Sequence, residues 1–555
     1  MTRKTFLTGS CIAICCFLLG GFSHSWWTNK DIDRQSVQQA SILMDMEFTP
    51  AEIDSLLPDL QDYQESYQEN RSANIDNGIS PALVFRPMPS NFSPPAPSGI
   101  SYGTPPKVSL PTPIEKVAYY SLRELSELIR TRQLSSEQLT KICLGRLKKY
   151  NPSLQCVITL LEEEAMEKAK KADEDIAAGK YKGMLHGIPY GAKDLLATKK
   201  YKTTWGAAPY KDQVIDKDAR VIQLLEEAGA ILTAKLTLGA LAWGDVWYGG
   251  KTRNPWDTSQ GSSGSSAGSA SAVSAGLLPF AIGTETLGSI VSPSTVCGTT
   301  GLRPTFGRVS RDGAMALSWS MDKIGPICRT AEDCFIVLDA IKGPDAADPS
   351  TVDVPLNYDA TQDVKKLKIA YLERDFSGNY PFKAQDSASL QILRDQGIDL
   401  IPIQLPELKD LTLILTAESA AAFDELTRSN RDDLLVRQIR QAWPNTFRAA
   451  RFIPAVEYIQ ANRLRTQLIE EMDRVLNEKQ IDVYLSPSWA SSNLIITNLT
   501  GHPCITMPNG FANGTPTSIT INGRLFEEGK VVQLAKFLQQ HSDFHLQHPE
   551  AFVPQ

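Results

Sequence analysis

A run of very small residues in the middle of the chain most constrains its fold. Within residues 261–275, fourteen of fifteen residues are Gly, Ser or Ala. Such a composition is typical of flexible linkers, but this run follows Asn254-Pro255-Trp256 and continues directly into the apolar sequence 276–283. Tiny residues let backbones approach closely and expose amide N–H groups, as a site that stabilises an oxyanion requires. The run therefore predicts a packed functional segment.

The surrounding sequence predicts one α/β body. Buried strands are expected at residues 230–234, 367–372 and 481–485. Helices are expected at about 161–178 and 217–227. Strands that alternate with helices over hundreds of residues are typical of a sheet covered by helices on its faces.

Two capping boxes mark the first helices of this body. Ser121-x-x-Glu124 and Ser135-x-x-Gln138 both carry a hydroxyl and, three residues later, a side chain that can reach back to the cap. The second helix is predicted to end at Asn151-Pro152.

The N-terminus has the order of a secretory signal peptide. Arg3 and Lys4 precede a mostly apolar run over 5–22, and Ser23-His24-Ser25 supplies small residues for cleavage. Residues 1–25 are therefore predicted to be removed, which gives a secreted or periplasmic protein. An uncleaved membrane anchor is the alternative, because the run is about as long as the shortest helices that span a bilayer, roughly 17 residues.

Residues 26–116 form a polar and Pro-rich extension. Thr49 is placed to cap a helix whose first residue is Pro50. Prolines are dense over 84–113, and proline donates no backbone hydrogen bond, so we expect an extended arm over the main body. A disordered leader is the alternative.

Charge and cysteine content exclude several classes. A net charge of -7 leaves no general basic character for binding nucleic acid. Six cysteines remain after the predicted cleavage, and none forms a CxxC pair, which argues against a structural zinc site. No clustered metal-ligand motif occurs, and we expect no metal and no cofactor.

Two kinds of serine chemistry fit the small-residue run. Gly264–Gly268 formally matches the G-x-S-x-G nucleophile elbow, which needs a preceding strand and a histidine. Residues 257–260 do not have a strand pattern, and the surroundings of His502 are not distinctive.

The alternative is a serine activated by a neutral lysine. Lys193 has small or apolar neighbours that would bury its amine and lower its pKa from about 10.4 towards neutrality. Lys235 and His186 are interpreted as structural.

Several stretches together resemble the amidase signature family. They are Gly187–Asp194, the small-residue run, Gly283–Ser292 and Cys297–Thr305, and the similarity resumes over about 480–540. The resemblance implies a mixed central β-sheet covered by α-helices on both faces. It also implies a catalytic domain over 117–545, with a variable, mostly helical and substrate-shaping region at 346–480, and a tail at 546–555. Within the variable region, the sequence predicts helices at about 417–435 and 455–476.

The resemblance also implies the site. Lys193 corresponds to the catalytic lysine, Ser265 to the bridging serine on a cis peptide bond, and Ser289, 24 residues later, to the nucleophile. Ser266 is assigned to substrate binding. The backbone N–H groups of Thr286, Leu287, Gly288 and Ser289 would form the oxyanion hole. The implied activity is hydrolysis of a small-molecule amide through an acyl-serine intermediate.

Two departures from the family pattern stand beside the nucleophile. Leu287 replaces a glycine, which predicts a narrower oxyanion loop or a restricted φ at this position. Val291 replaces an arginine, which predicts a more apolar acyl pocket. The alternative function is a catalytically weakened family member that binds a ligand or partner. Export argues against the family's tRNA-dependent branch. We expect no nucleic-acid partner and no stable membrane insertion after cleavage, and the oligomeric state stays open, a homodimer included.

Overall fold

The computed structural model describes residues 32–72 and 75–555, which divide into two compact units. The predicted signal peptide, residues 1–25, lies outside the described residues. The smaller unit includes the described residues up to Ile75 together with Phe452–Pro454. It contains two helices, α1 (Arg34–Leu43) and α2 (Pro50–Ser72). Thr49 caps α2 as predicted, because its amide donates to Glu52 Oε2 at 2.6 Å and its Oγ1 accepts from the Glu52 amide at 3.4 Å.

The larger unit comprises Asp76–Arg451 and Ala455–Gln555. Its strands are β1 (Ile100–Ser101), β2 (Val157–Leu160), β3 (Pro189–Lys193), β4 (Ile231–Leu236), β5 (Val246–Trp247), β6 (Gly250–Lys251), β7 (Arg253–Asn254), β8 (Asp257–Gly261), β9 (Phe280–Glu285), β10 (Thr300–Arg303), β11 (Lys323–Cys328), β12 (Tyr358–Asp359), β13 (Ile369–Leu372), β14 (Leu400–Ile403), β15 (Val483–Pro487), β16 (Cys504–Ala512) and β17 (Thr515–Gly523).

Eleven of these strands form one sheet, in the order β14-β13-β15-β17-β16-β10-β11-β9-β3-β4-β2. Strand β3 is parallel to β4 and β9, and β13 is parallel to β14 and β15. The other neighbours are antiparallel. This mixed sheet, combined with many helices, confirms the α/β class.

The larger unit also carries most of the helices. They are α3 (Leu122–Arg130), α4 (Ser136–Leu154), α5 (Glu162–Ala177), α6 (Arg220–Glu227), α7 (Ala267–Ser274), α8 (Val291–Cys297), α9 (Ala331–Ile341), α10 (Glu373–Ser377), α11 (Lys383–Asp395), α12 (Leu413–Ala422), α13 (Asp424–Arg428), α14 (Trp443–Ala450), α15 (Ala455–Glu478), α16 (Ser491–Thr500) and α17 (Glu528–Gln540). Among the described residues, none of the helices combines the length and apolar character that crossing a bilayer requires.

Both predicted capping boxes are present at the starts of α3 and α4. The end predicted for α4 was wrong by about one turn. The helix continues past Pro152 to Leu154 and ends where Gln155 adopts left-handed φ and ψ of 49° and 44°. Asn151 stabilises this end, because its Oδ1 accepts from the amides of Cys156 and Val157 at 3.0 and 2.9 Å. A proline in the last turn is tolerated because only one helical hydrogen bond is lost.

Two other local predictions also require correction. The sequence of Asp257–Gly261 does not predict a strand, yet it forms β8 and pairs with β7 in a short hairpin. Its middle residues are exposed and polar, so backbone pairing defines it without a buried pattern. The helix predicted at about 417–435 is broken into shorter pieces. Phe423 departs from helical φ and ψ, and Asn430 has a positive φ of 57°.

Residues 76–113 belong to the larger unit and contact its body at several points. Ile100 and Ser101 pair in parallel with β12. Asn357 accepts from the Ser98 amide at 2.8 Å and donates to the Ala96 carbonyl at 2.9 Å. At the other terminus, the Phe552 carbonyl accepts from Arg146 Nη2 at 2.7 Å. Both ends of this unit are therefore fixed to its body.

Candidate active site

The sheet brings Lys193 and the candidate nucleophile loop to one edge. Lys193 is the last residue of β3, and Glu285 is the last residue of β9. These strands are parallel neighbours, with Ala192 opposite Ile282. The carboxyl ends of parallel strands open at the same edge, where α/β sheets bind ligands. The loop after Glu285 is therefore adjacent to the lysine.

The Lys193 amine is completely buried and faces oxygen atoms only. Its Nζ lies 2.8 Å from Ser265 Oγ, 3.1 Å from Ser266 Oγ and 2.9 Å from Thr284 Oγ1. The Thr284 carbonyl oxygen lies 3.3 Å away. Burial lowers the pKa of the Lys193 ammonium to about 7. A large share of the amine is therefore neutral near neutral pH and can accept a proton.

The backbone at Ser265 is tightly constrained. The Gly264–Ser265 peptide bond is cis, and Ser265 is buried. A Cβ at Gly264 would lie 1.9 Å from the Gly244 carbonyl oxygen, so this position accommodates only glycine. The tiny residues of the run thus permit a close backbone approach beside the lysine, as the sequence predicts.

Ser289 lies against the same run. The Ser266 amide donates to the Ser289 carbonyl at 3.1 Å, and the hydroxyl oxygens of Ser263 and Ser292 are 3.1 Å apart. Ser289 is 8% exposed, which leaves its side chain close to the boundary between the buried site and solvent. Lys193, Ser265 and the Ser289 segment are therefore brought together.

Four consecutive amides precede the Ser289 side chain. Among the residues that the structure describes, no backbone or side-chain acceptor bonds the N–H groups of Thr286, Leu287, Gly288 or Ser289. Gly288 has a φ of +81°, whereas Leu287 is not among the residues with positive φ. The position that needs glycine is therefore Gly288, and Leu287 does not strain the loop.

The Glu285 side chain anchors this loop through hydrogen bonds. Its Oε2 accepts from the amides of Ile290 and Val291 at 2.8 and 3.0 Å, and its Oε1 accepts from Arg303 Nη1 at 2.7 Å and Asn498 Nδ2 at 2.9 Å. Burial opposes the charged form, but Arg303 and the backbone donors prevail and hold the pKa of Glu285 at about 2. The carboxylate stays ionised and fixes both ends of the loop's turn.

Ser266 has a hydroxyl committed to protein groups. Its Oγ donates to the Thr284 carbonyl at 3.0 Å and accepts from the Thr284 amide at 3.1 Å, besides its contact with Lys193. Ser266 is fully buried, and its hydroxyl contacts Lys193 and Thr284. The structure therefore places this predicted substrate-binding residue beneath the surface, next to the lysine.

The remaining sequence candidates have structural partners. Lys235 forms a buried ion pair with Asp194 at 2.9 Å. His186 Nδ1 accepts from the Lys182 amide at 3.2 Å. His502 Nδ1 lies 2.8 Å from Thr500 Oγ1, and burial lowers its pKa to about 3. Within the described part of the chain, the hydroxyl of Ser266, the nucleophile position of the elbow, hydrogen-bonds to Lys193 and Thr284 and to no histidine, so the histidine-dependent elbow lacks its base.

Sequence reasoning missed two groups beside the site. Thr284 contacts Lys193. The sequence signal that could have found it is its position within Gly283–Ser292, one of the stretches that resemble the family. Asp322 accepts from Thr286 Oγ1 at 2.5 Å through Oδ1, and from the Leu317 and Ser318 amides at 2.8 and 3.0 Å through Oδ2. No sequence motif marks Asp322, because its contacts with Thr286, Leu317 and Ser318 depend on the folded conformation of the loop that precedes it.

A cavity of about 390 Å³ adjoins this site and reaches Thr284 and Thr286. Its walls mix apolar side chains with charged groups, several of which are already paired, such as Lys217 with Asp312 and Arg311 with Asp348.

Within residues 32–72 and 75–555, no cluster of three or more His, Cys, Asp or Glu side chains could hold a metal ion. All six cysteines of this part of the chain are buried and free of disulfides.

Comparison with known proteins identifies the family. The model of the Amidase family matches residues 138–532. The chain therefore belongs to the amidase family and is a hydrolase of amide C–N bonds, as the sequence predicts.

Individual relatives agree with this assignment. Over 483 residues the chain is 33% identical to a glutamyl-tRNA(Gln) amidotransferase subunit of Coxiella burnetii, and the match covers 78% of the chain and 99% of the relative. The native peptide amidase of Stenotrophomonas maltophilia superposes with a TM-score of 0.69 at 28% identity, over 77% of the chain and 97% of that enzyme. The corresponding amidotransferase subunit of Thermotoga maritima superposes with a TM-score of 0.63 at 26% identity, over 77% and 95% respectively.

Proposed function

We propose that this protein is an exported amidase that hydrolyses a carboxylic amide to an acid and an amine through Lys193, Ser265 and Ser289. The observation that carries the proposal is the contact of 2.8 Å between Lys193 Nζ and Ser265 Oγ. A buried amine whose pKa is about 7 is suited to general base catalysis near neutral pH.

Acylation begins with neutral Lys193. The amine accepts the Ser265 hydroxyl proton while Ser265 accepts the proton of Ser289, whose Oγ attacks the amide carbonyl. The charge that develops on the carbonyl oxygen is stabilised by the amides of Thr286, Leu287, Gly288 and Ser289. In other enzymes, loss of one such donor costs roughly 3–4 kcal/mol of transition-state stabilisation.

The same groups then transfer the proton in the opposite direction. Protonated Lys193 returns its proton through Ser265 to the departing nitrogen, and the C–N bond breaks to leave acyl-Ser289. Water attacks the ester with the same proton relay, which releases the acid and regenerates the serine. Ser266 acts as a positioning residue, because its Oγ links Lys193 Nζ to the backbone of Thr284.

The backbone of the Ser289 loop supports an active enzyme over a weakened binding protein. Leu287 replaces the family's glycine without a positive φ, and Gly288 retains the left-handed backbone that the loop requires. Purified protein should therefore react with a fluorophosphonate probe at Ser289. Ser289→Ala is the control, and absence of labelling in the wild type, with an active relative labelled in parallel, would contradict catalysis.

Export rests on residues 1–25 alone. Their charged, apolar and small-residue order supports cleavage after Ser25 and release to the periplasm or exterior. Expression of the full chain followed by fractionation and N-terminal sequencing tests this. A mature N-terminus at Trp26 supports export, and an intact, cytosolic N-terminus refutes it.

Membership of an amidotransferase complex is the competing candidate. It is favoured by the 33% identity that extends over 99% of the Coxiella burnetii relative. Such a protein works together with partner chains, whereas the proposed enzyme turns over amides as an isolated chain. Amide turnover by the purified chain therefore separates the two.

A further inference from the structure

The cavity beside Thr284 and Thr286 has a wall that comes from the N-terminal extension. Residues 76–80 line it together with the loop residues 315–317. The family model matches residues 138–532, so residues 76–80 lie outside the part of the chain that the family accounts for. The extension therefore contributes to the shape of the cavity.

Asn77 fixes this wall to the body. Its Oδ1 accepts from the Ala316 amide at 2.8 Å, and its Nδ2 donates to the carbonyls of Ala316 and Ala422, both at 3.1 Å. One side chain thus satisfies both backbone groups of Ala316 and bridges to α12. Such a three-bond contact holds the segment in one register.

The same contacts continue to the loop of the nucleophile. The residues that follow Ala316, Leu317 and Ser318, donate their amides to Asp322 Oδ2. Asp322 Oδ1 in turn accepts from Thr286 Oγ1 at 2.5 Å. The wall built by Asn77 is therefore connected through one buried carboxylate to the first residue of the candidate oxyanion loop.

The exposed side chain of Ile79 indicates that the wall contacts an apolar group. It lines the cavity, yet it is 61% exposed. Leu195, Met315 and Leu317 also line the cavity, but each of them is already buried. An apolar group that filled the cavity would remove the exposed surface of Ile79 from water, which favours binding.

We propose that residues 76–80 form a specificity wall, in which Ile79 contacts an apolar substituent of the amide substrate and Asn77 positions Ile79. The inference rests on the proposed amidase function and names its substrate class, amides that carry an extended apolar group. The wall selects substrates by the size of their apolar group, and it takes no part in the reaction at Ser289.

The test compares two series of amides with purified full-length protein. One series lengthens the acyl group and the other lengthens the amine, so the side that occupies the cavity is identified. The wild type should show kcat/KM that rises with chain length in one series. Ile79→Ser should lower the long-to-short ratio at least fivefold, mainly through KM, and Asn77→Ala should lower it similarly.

Matched variants separate the wall from general effects. Ile459, on α15, is 56% exposed and does not line the cavity, so Ile459→Ser should keep the wild-type ratio. Asn357 anchors the extension elsewhere, so Asn357→Ala should keep it too. An active wild type whose ratio is unchanged in Ile79→Ser and Asn77→Ala overturns the inference alone. A wild type that cleaves no amide overturns the proposed function and the inference with it.

Discussion

Glu285 and Arg303 form an ion pair of 2.7 Å in which neither side chain is exposed to solvent. Arg303 lies on β10, and its Nη2 also donates to the His502 carbonyl at 3.0 Å. Since Glu285 also binds two amides of the turn after Ser289, the pair connects the candidate nucleophile loop to the centre of the sheet. A buried charge of this kind is tolerated only with its partners in place.

Glu285→Gln should therefore destabilise the protein. The substitution leaves the Arg303 guanidinium buried without a counter-charge, which typically costs about 3–5 kcal/mol. Urea unfolding measures the change in the free energy of unfolding. Asp212→Asn, which removes an exposed ion pair with Lys202, is the control and should leave stability unchanged. Equal stability of both variants would contradict the anchoring role.

The pH dependence of turnover should report Lys193. Its pKa of about 7 lies below the ordinary value for lysine, so the amine gains base character as pH rises through 7. We expect kcat/KM to increase with an apparent pKa near 7 and then to level off. His186→Gln should retain this profile, because His186 does not contact the site. A profile that shifts with His186 would contradict the lysine assignment.

Ser265→Ala and Lys193→Ala should each lower turnover by about 10²–10⁴, the usual contribution of general acid–base catalysis. Both variants should keep the thermal unfolding transition of the folded protein. Ser266→Ala should have a smaller effect on kcat and should shift the apparent pKa of the profile, because it removes one oxygen contact of Lys193 Nζ. Near-normal turnover by Ser265→Ala would exclude the relay.

Leu287 and Gly288 provide a matched pair of substitutions in the candidate oxyanion loop. Gly288→Ala should abolish most activity, since φ is +81° and the new Cβ would approach Leu494 Cδ2 to 3.2 Å. Leu287→Gly should retain activity, with a loss of stability of about 0.5–1 kcal/mol from the more flexible unfolded chain. Rates of fluorophosphonate labelling at Ser289 measure both effects. The reverse order would show that Leu287 is the strained position.

The sequence predicted those features that leave a recognisable pattern of residues. The capping boxes at Ser121 and Ser135 need only a few residues of sequence. The small neighbours of Gly264 and Lys193 predicted close packing and burial, although the groups that contact them, Gly244 and Ser265 respectively, lie elsewhere in the chain. The fold class followed from the alternation of strands and helices over hundreds of residues.

Other features depend on residues far apart in the chain. Asn77 contacts Ala316 and Ala422, which lie hundreds of residues away, so no motif announces it. The short strand β8 is defined by pairing with β7 and has an exposed polar pattern, which hides it from hydrophobic periodicity. The polar role of Ser266 behind the lysine likewise appears only when Thr284 is placed beside it.

The position of β16 and β17 has a consequence for how the protein is made. These strands, the last of the described chain, lie between β15 and β10 and join the two halves of the sheet. Asn498 and the His502 carbonyl, also late in the chain, complete the contacts of Glu285 and Arg303. On the ribosome, the sheet and the contacts of the candidate nucleophile loop therefore cannot be completed until residues 498–523 have been synthesised. Non-local pairing of this kind slows folding.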